Sequence, residues 1–227
     1  MRIIAISDTH CKHSFFSKEL IKQYEIDNNA ILIHAGDACL EGNKIEAEDF
    51  LTWFGSLPFK HKIFIPGNHD IPFEYKAYNL TYLEMEYLAK KNKVILLINN
   101  ILNLEGLKII GCSHTPFLKS WGFYSEEMDQ ERFYTYIDQD ADIIISHNPP
   151  YGVGDTVLRH GVNNDYLVNL GCKHLLSYIE RNNPKVVICG HIHEGYGNKK
   201  VKKTRVYNCS SLDEHYMSFN PITIIDL

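Results

Sequence analysis

The sequence predicts a layered α/β fold with partly mixed sheets. Three observations carry that expectation. The first third alternates apolar strand runs with helical stripes, β-α-β-α-β; the later part becomes strand-rich; and five of the apolar runs end in Asp, His or Asn. At 227 residues the chain suffices for one well-cored unit, so a single domain over residues 1–227 is expected.

The opening run Ile3–Ile6 is closed by Ser7-Asp8-Thr9-His10, and residues 15–26 place Phe16, Leu20 and Tyr24 at helical spacing. A second strand, Ala30–His34, leads into Ala35-Gly36-Asp37. Residues 46–54 predict a helix whose acidic residues lie near its N-terminus, where the helix dipole favours them. The strand Ile63–Ile65 stops at Pro66-Gly67 and delivers Asn68-His69-Asp70. Leu80, Leu83, Tyr87 and Leu88 mark a helix over 79–91, and Asn99-Asn100 and Glu105-Gly106 punctuate three short strands. Beyond an aromatic stretch, Trp121 to Tyr124, a helix is expected over 126–137. The strand 142–145 then ends in Ser146-His147-Asn148-Pro149. A Gly-rich loop to about Gly171 precedes a helix over 172–181. Val186–Cys189 ends in Gly190-His191-Ile192-His193, and the tail from about Lys202 reads as strands with a turn at Asn220-Pro221.

Composition narrows the classes of function. A net charge of -5 gives no general attraction to nucleic acid or an anionic membrane, so an anionic substrate needs local positive charge. Twelve histidines point to metal chemistry, while six scattered cysteines without a Cys-x-x-Cys pair argue against structural zinc and for reduced thiols. No leader and no apolar run near the ~18 residues of a membrane span are visible. The expectation is a cytoplasmic protein, complete as given.

Asp8, His10, Asp37, Asn68, His147, His191 and His193 form a candidate ligand set of oxygen and imidazole donors. Asp8-x-His10 and His191-x-His193 each put two side chains on one side of an extended segment. Seven ligands exceed one ion, but two ions sharing a carboxylate could use them. The donor types favour Mn²⁺, Fe²⁺ or Zn²⁺ over Ca²⁺, with Mn²⁺ the ion expected in vitro. Two such ions would leave solvent positions open for chemistry, and His69, beside Asn68, is the catalytic candidate.

In order, these motifs resemble the signature of the calcineurin-like metallophosphoesterases: Asp-x-His, Gly-Asp, Gly-Asn-His-Asp, His and Gly-His-x-His. The flanks Ser7-Asp8-Thr9-His10, His147-Asn148-Pro149-Pro150 and Tyr207-Asn208-Cys209-Ser210 are similar to the small subgroup named for its metallophosphoesterase domain. The resemblance implies two mixed sheets packed as a sandwich flanked by helices. It further implies one ion on Asp8, His10, Asp37 and His193, and a second on Asp37, Asn68, His147 and His191. The activity implied is phosphodiester hydrolysis on a small substrate such as a cyclic nucleotide, by attack of a metal-bridging hydroxide, with His69 expected to protonate the leaving group and Asp70 to orient His69 through its other ring nitrogen. A phosphomonoesterase or nuclease on the same site is the enzymatic alternative, and a non-catalytic interaction module the alternative from another class. A small phosphate ester is the expected partner, with neither a membrane nor a nucleic-acid polymer.

Among weaker candidates, His13 and His114 lie near ligand segments and are expected to touch substrate with Asn68 and His69. Asn148 and Tyr196 are comparable. Trp121, Phe123 and Tyr124 would stack a base or pack the core. His34 reads as a core histidine, and the basic run 199–205 as a solvated hairpin.

Overall fold

The computed structural model describes residues 1–75, 80–137, 140–161 and 164–227. Its strands are β1 (Arg2–Ile6), β2 (Ile31–His34), β3 (His61–Phe64), β4 (Ile95–Leu96), β5 (Asn100–Leu104), β6 (Leu107–Cys112) and β7 (Ile143–Ser146). They continue with β8 (Thr156–Arg159), β9 (Tyr166–Asn169), β10 (Val186–Cys189), β11 (Gly197–Val201), β12 (Thr204–Asn208) and β13 (Thr223–Asp226). The helices are α1 (Ser17–Ile26), α2 (Lys44–Ser56), α3 (Leu80–Lys91), α4 (Glu127–Tyr136) and α5 (Lys173–Asn182).

Two mixed sheets form, ordered β13-β1-β2-β3-β4 and β11-β12-β10-β7-β6-β5. In the first, β1 to β4 run parallel beside an antiparallel β13. In the second, β6, β7, β10 and β12 run parallel between the antiparallel edges β5 and β11. Side-chain alternation divides each strand between two cores. Ile3, Ala5, Ile31 and Ile33 face Ile109, Ile143, Ile145 and Ile188 in the layer between the sheets. Ile4, Ile6, Leu32 and Phe64 pack under Leu20, Phe50, Phe54 and Met85 of α1 to α3. Ile110, Ile144 and Val187 pack under Tyr134, Leu175 and Ile179 of α4 and α5. The central strands are buried on both faces, which is why they read as unbroken apolar runs.

Local signals explain most element ends. Asn43 caps α2 by accepting from the Glu46 backbone N–H at 3.1 Å, while Glu46 Oε2 accepts from the N–H groups of Leu40, Glu41 and Gly42. Glu105 and Gly106, both at positive φ, make the two-residue hairpin between β5 and β6. The basic run is the β11–β12 hairpin, with Lys199, Lys200, Lys202 and Lys203 exposed. Asn79, the expected start of α3, lies outside the described residues; the helix is seen from Leu80. One expectation fails. The Gly-rich stretch before Gly171 is not all loop, because its β-favouring Thr156–Arg159 and Tyr166–Asn169 pair as the hairpin β8–β9. No helix among the described residues is long and apolar enough to cross a membrane.

Parallel pairing sends the C-terminal ends of β1, β2 and β3 to one edge of their sheet, and those of β6, β7, β10 and β12 to one edge of the other. The bridge between Ser7 and Ser210 joins the two edges. The fold thus collects residues scattered from Asp8 to Ser210 in one place.

Candidate metal centre

The loops leaving those strands are tightly constrained. Asp8, His10, Asp37 and His191 all hold positive φ, in the sparsely used left-handed region that clusters at functional sites. Asp8 N–H donates to Gly36 O at 2.8 Å and His10 N–H to Asp37 O at 3.1 Å, locking the first two loops together. Two glycines make room for the carboxylates. A Cβ on Gly67 would lie 2.3 Å from Asp37 Oδ1, and one on Gly190 would lie 2.1 Å from Asp8 Oδ2. Neither position accepts a side chain without moving an acidic group.

Four imidazoles share one arrangement. His10, His69, His147 and His193 place Nδ1 at 3.0, 2.6, 2.9 and 2.9 Å from the carbonyls of Cys39, Leu40, Ala35 and Leu212. A carbonyl only accepts, so Nδ1 carries the proton and Nε2 of the neutral ring turns a lone pair to the other side. Outer-sphere bonds of this kind hold metal-binding histidines. The freed nitrogens converge with the carboxylates: donor atoms of Asp8, His10 and His193 lie within 4.8 Å of one another, as do those of Asp37, His147 and His191, and those of His10, Asp37 and His69.

Asp37 belongs to two of these groups. Its Oδ1 accepts from the His69 backbone N–H at 2.8 Å, and its Oδ2 lies 3.3 Å from His147 Nε2. His147 Nε2 is also 3.1 Å from Asn68 Oδ1. A neutral His147 would therefore aim a lone pair at two oxygens, an arrangement that asks for a cation or a proton between them. His10 Nε2, on a residue 2% exposed, has no hydrogen-bond partner among the described residues. A buried orphan acceptor is costly unless something electropositive meets it. The donor set therefore fits divalent ions.

Electrostatics agree. Burial pushes the Asp8 and Asp37 carboxyls up, but the surrounding imidazoles outweigh it and hold both below the ordinary range, His193 and His147 leading for Asp8 and His147 for Asp37. Burial pulls His147 down, but Asp37 overcompensates and raises it to about 9. His10 and His191 are pushed down to about 4, chiefly by burial. At neutral pH both carboxylates are ionised and the His10 and His191 rings are neutral.

Every residue of the predicted ligand set reaches this centre, and His69 stands at its rim with Nε2 4.0 Å from Asp37 Oδ2. The indole of Trp121, 37% exposed, lies 4.1 Å from the His69 ring. The expected Asp70–His69 contact does not form. Fully buried Asp70 accepts from the backbone N–H of Asp37 and Gly67 through Oδ2 and of Ala38 and Cys39 through Oδ1, at 2.8–3.0 Å. It staples the Asp37 loop to the Gly67 loop, and His69 takes its orientation from Leu40 O instead.

Two substrate expectations also fail on geometry. His13 turns under α2, its Nε2 3.1 Å from Asp49 and its ring against Trp53, 3% exposed. His114 packs edge-on to Phe133 of α4 rather than into the ligand groups. His34 is a core histidine, bonded to Thr9 Oγ1 at 3.0 Å. Phe123 joins the core, Tyr124 lies under Lys119, and Tyr196 donates to Pro221 O. Asn148 is fully buried behind His147. Two contributors carried no motif that named a role. Ser210 donates to Asp8 Oδ2 at 3.0 Å, and Tyr216 places its ring 4.6 Å from that of His10. Ser210 lies in the Tyr207–Ser210 flank, which is the sequence signal that could have found it.

The family model described as calcineurin-like phosphoesterase matches residues 1–195. The chain is 30% identical to metallophosphoesterase domain-containing protein 1 of Homo sapiens, over all of this chain and 71% of that protein. Among solved structures, TT1561 of Thermus thermophilus superposes with TM-score 0.63 at 14% identity, covering 99% of this chain and 98% of that one. Phosphopantetheinyl hydrolase from Mycobacterium tuberculosis gives 0.58 at 14% identity, covering 94% and 90%. At those identities the solved structures speak for the fold alone.

Proposed function

The chain belongs to the calcineurin-like phosphoesterase family and is a metal-dependent phosphoesterase; on that premise we propose that it hydrolyses a small phosphodiester at a two-ion centre. The observation that carries the reading is the convergence of lone pairs from His147 Nε2, Asn68 Oδ1 and Asp37 Oδ2, with Asp37 shared between two donor groups. We assign Asp8, His10, Asp37 and His193 to one ion and Asp37, Asn68, His147 and His191 to the other. When bound, divalent ions would supply positive charge to the phosphate and acidify water for attack on phosphorus.

The remaining work falls to the chain's own groups. Backbone carbonyls fix four imidazoles, Asp70 fixes the Asp37 and Gly67 loops, and Ser210 with the His191 N–H fixes Asp8. His69 has Nδ1 committed to Leu40 O, so as an imidazolium it presents Nε2–H to the site. As the water oxygen bonds to phosphorus and the ester P–O bond breaks, that proton passes to the leaving oxygen.

The opposite charges that lead for Asp8 and Asp37 are imidazoles, so positive charge for a phosphate rests on the bound ions. A diester, with one negative charge, asks less of them than a monoester dianion. The test is turnover by chelator-stripped, Mn²⁺-reloaded protein on 2′,3′- and 3′,5′-cyclic AMP, AMP and a single-stranded oligonucleotide. Preference for a cyclic diester supports the proposal; preference for AMP or the oligonucleotide overturns the substrate class.

A further inference from the structure

The loop between β12 and β13 brings to this centre a side chain that no motif marks. Leu212 and Phe219 pair across the loop as an antiparallel bridge. Three contacts anchor it: Leu212 O accepts from His193 Nδ1, Lys12 Nζ donates to Tyr216 O, and Phe219 stacks on Phe15 at 3.7 Å. At the tip, Asp213 O accepts from Tyr216 N–H at 2.9 Å and Asp213 Oδ1 from Met217 N–H at 2.7 Å. These bonds hold Tyr216 at positive φ, in the left-handed region that a bulky aromatic residue seldom adopts. Such a conformation persists where the surroundings over-determine it, and ligand sites are where it collects.

The strained residue points at the metal centre. The Tyr216 ring lies 4.6 Å from that of His10 and 5.0 Å from that of His193, and it is only part-buried. Across the site, the His10 and His69 rings meet edge to face at 4.7 Å, and Trp121 covers His69. The mouth therefore has an aromatic wall at each end. Trp121 stands on the side of the proton donor, where the leaving group departs. Tyr216 stands over the imidazoles of the other group, with Met217 and Phe15 exposed beyond it. Lys12, the cation beside it, has its ammonium engaged by the Tyr216 carbonyl.

We propose that Tyr216 is a specificity-determining residue whose ring receives a flat, uncharged substituent on the ester group that stays on phosphorus. The inference rests on the phosphodiester reading above. A stacked ring pair is worth a few-fold in binding, about fivefold at the middle of the usual range.

The experiment is equilibrium dialysis of Mn²⁺-loaded protein against phenylphosphonate and methylphosphonate, paired with steady-state kinetics on p-nitrophenyl phenyl and p-nitrophenyl methyl phosphate. Wild type should bind phenylphosphonate about fivefold more tightly. Tyr216→Ala should lose that preference with its Mn²⁺ content unchanged, and Tyr216→Phe should keep it. In kinetics, Tyr216→Ala should raise KM for the phenyl diester about fivefold more than KM for the methyl diester. The proposal is overturned if wild type binds the two phosphonates alike, if Tyr216→Ala keeps the preference, if it weakens both equally, or if it loses Mn²⁺. If wild type hydrolyses neither diester, the diesterase reading falls and the dialysis alone decides the role of Tyr216.

Discussion

Asp70→Asn separates stability from function. Two opposing effects set its stability change. Burial and the nearby Asp37 charge raise the Asp70 carboxyl to about 6, so keeping it ionised in the fold costs about 3 kcal/mol at neutral pH and above. A neutral amide removes that cost. Against it, each carboxylate oxygen accepts from two backbone N–H groups, and either amide orientation turns an NH₂ towards two of those donors. Leaving two buried donors unmatched costs about 1–3 kcal/mol each. The net loss is on the order of 1 kcal/mol, a fall in Tm of about 2–4 °C for a chain this long. Function should suffer far more. The displaced N–H groups belong to Asp37 and Gly67, or to Ala38 and Cys39, so the loop carrying the shared carboxylate must shift. Misplacement by about 1 Å can cost about a hundredfold in rate. Thermal melting and Mn²⁺-dependent turnover on one diester measure both quantities. An Asp70→Asn protein within threefold of wild-type turnover would refute the stapling role; a Tm loss above about 10 °C would refute the near-cancellation.

Other substitutions and conditions follow from the same geometry. His69→Ala should cut turnover by about 10²–10⁴-fold on poor leaving groups while Mn²⁺ content stays unchanged, and full activity would remove the proton-donor role. Gly67→Ala should abolish metal binding, since its Cβ would lie 2.3 Å from Asp37 Oδ1; metal analysis by mass spectrometry reads this, and normal content would contradict it. For metal-free protein, the stability contributed by the raised His147 is present below its unfolded value near 6.5 and lost as pH rises through about 9. That from the depressed His10 and His191 is lost as pH falls through about 4. Tm in chelator should therefore peak near pH 6–7, and a Tm still climbing from pH 7 to 9 would contradict the His147–Asp37 pairing.

The candidate ligand positions could be read from the sequence because each follows an apolar parallel strand at once, and parallel pairing alone brings such ends to one edge. The layered sandwich followed from the same runs together with the family resemblance. Contacts made by folding back were hidden. His13 stands three residues from His10, yet a 3₁₀ turn over His13–Phe16 rolls it under Trp53 and beside Asp49. Asp70 adjoins His69 in sequence, but its carboxylate turns to four backbone donors from two loops. Tyr216 depends on Lys12 and Phe15 from the other end of the chain. The β8–β9 hairpin was masked by the glycines around it, although Thr156–Arg159 and Tyr166–Asn169 are ordinary β-favouring segments.

The proposed pair of ions is joined through Asp37. Electron paramagnetic resonance of the Mn²⁺-loaded protein tests it most directly, because two ions sharing a carboxylate are exchange-coupled. A coupled multiline spectrum in wild type that collapses to isolated six-line Mn²⁺ in Asp37→Asn is the predicted result. An isolated six-line spectrum in fully loaded wild type would contradict the shared site.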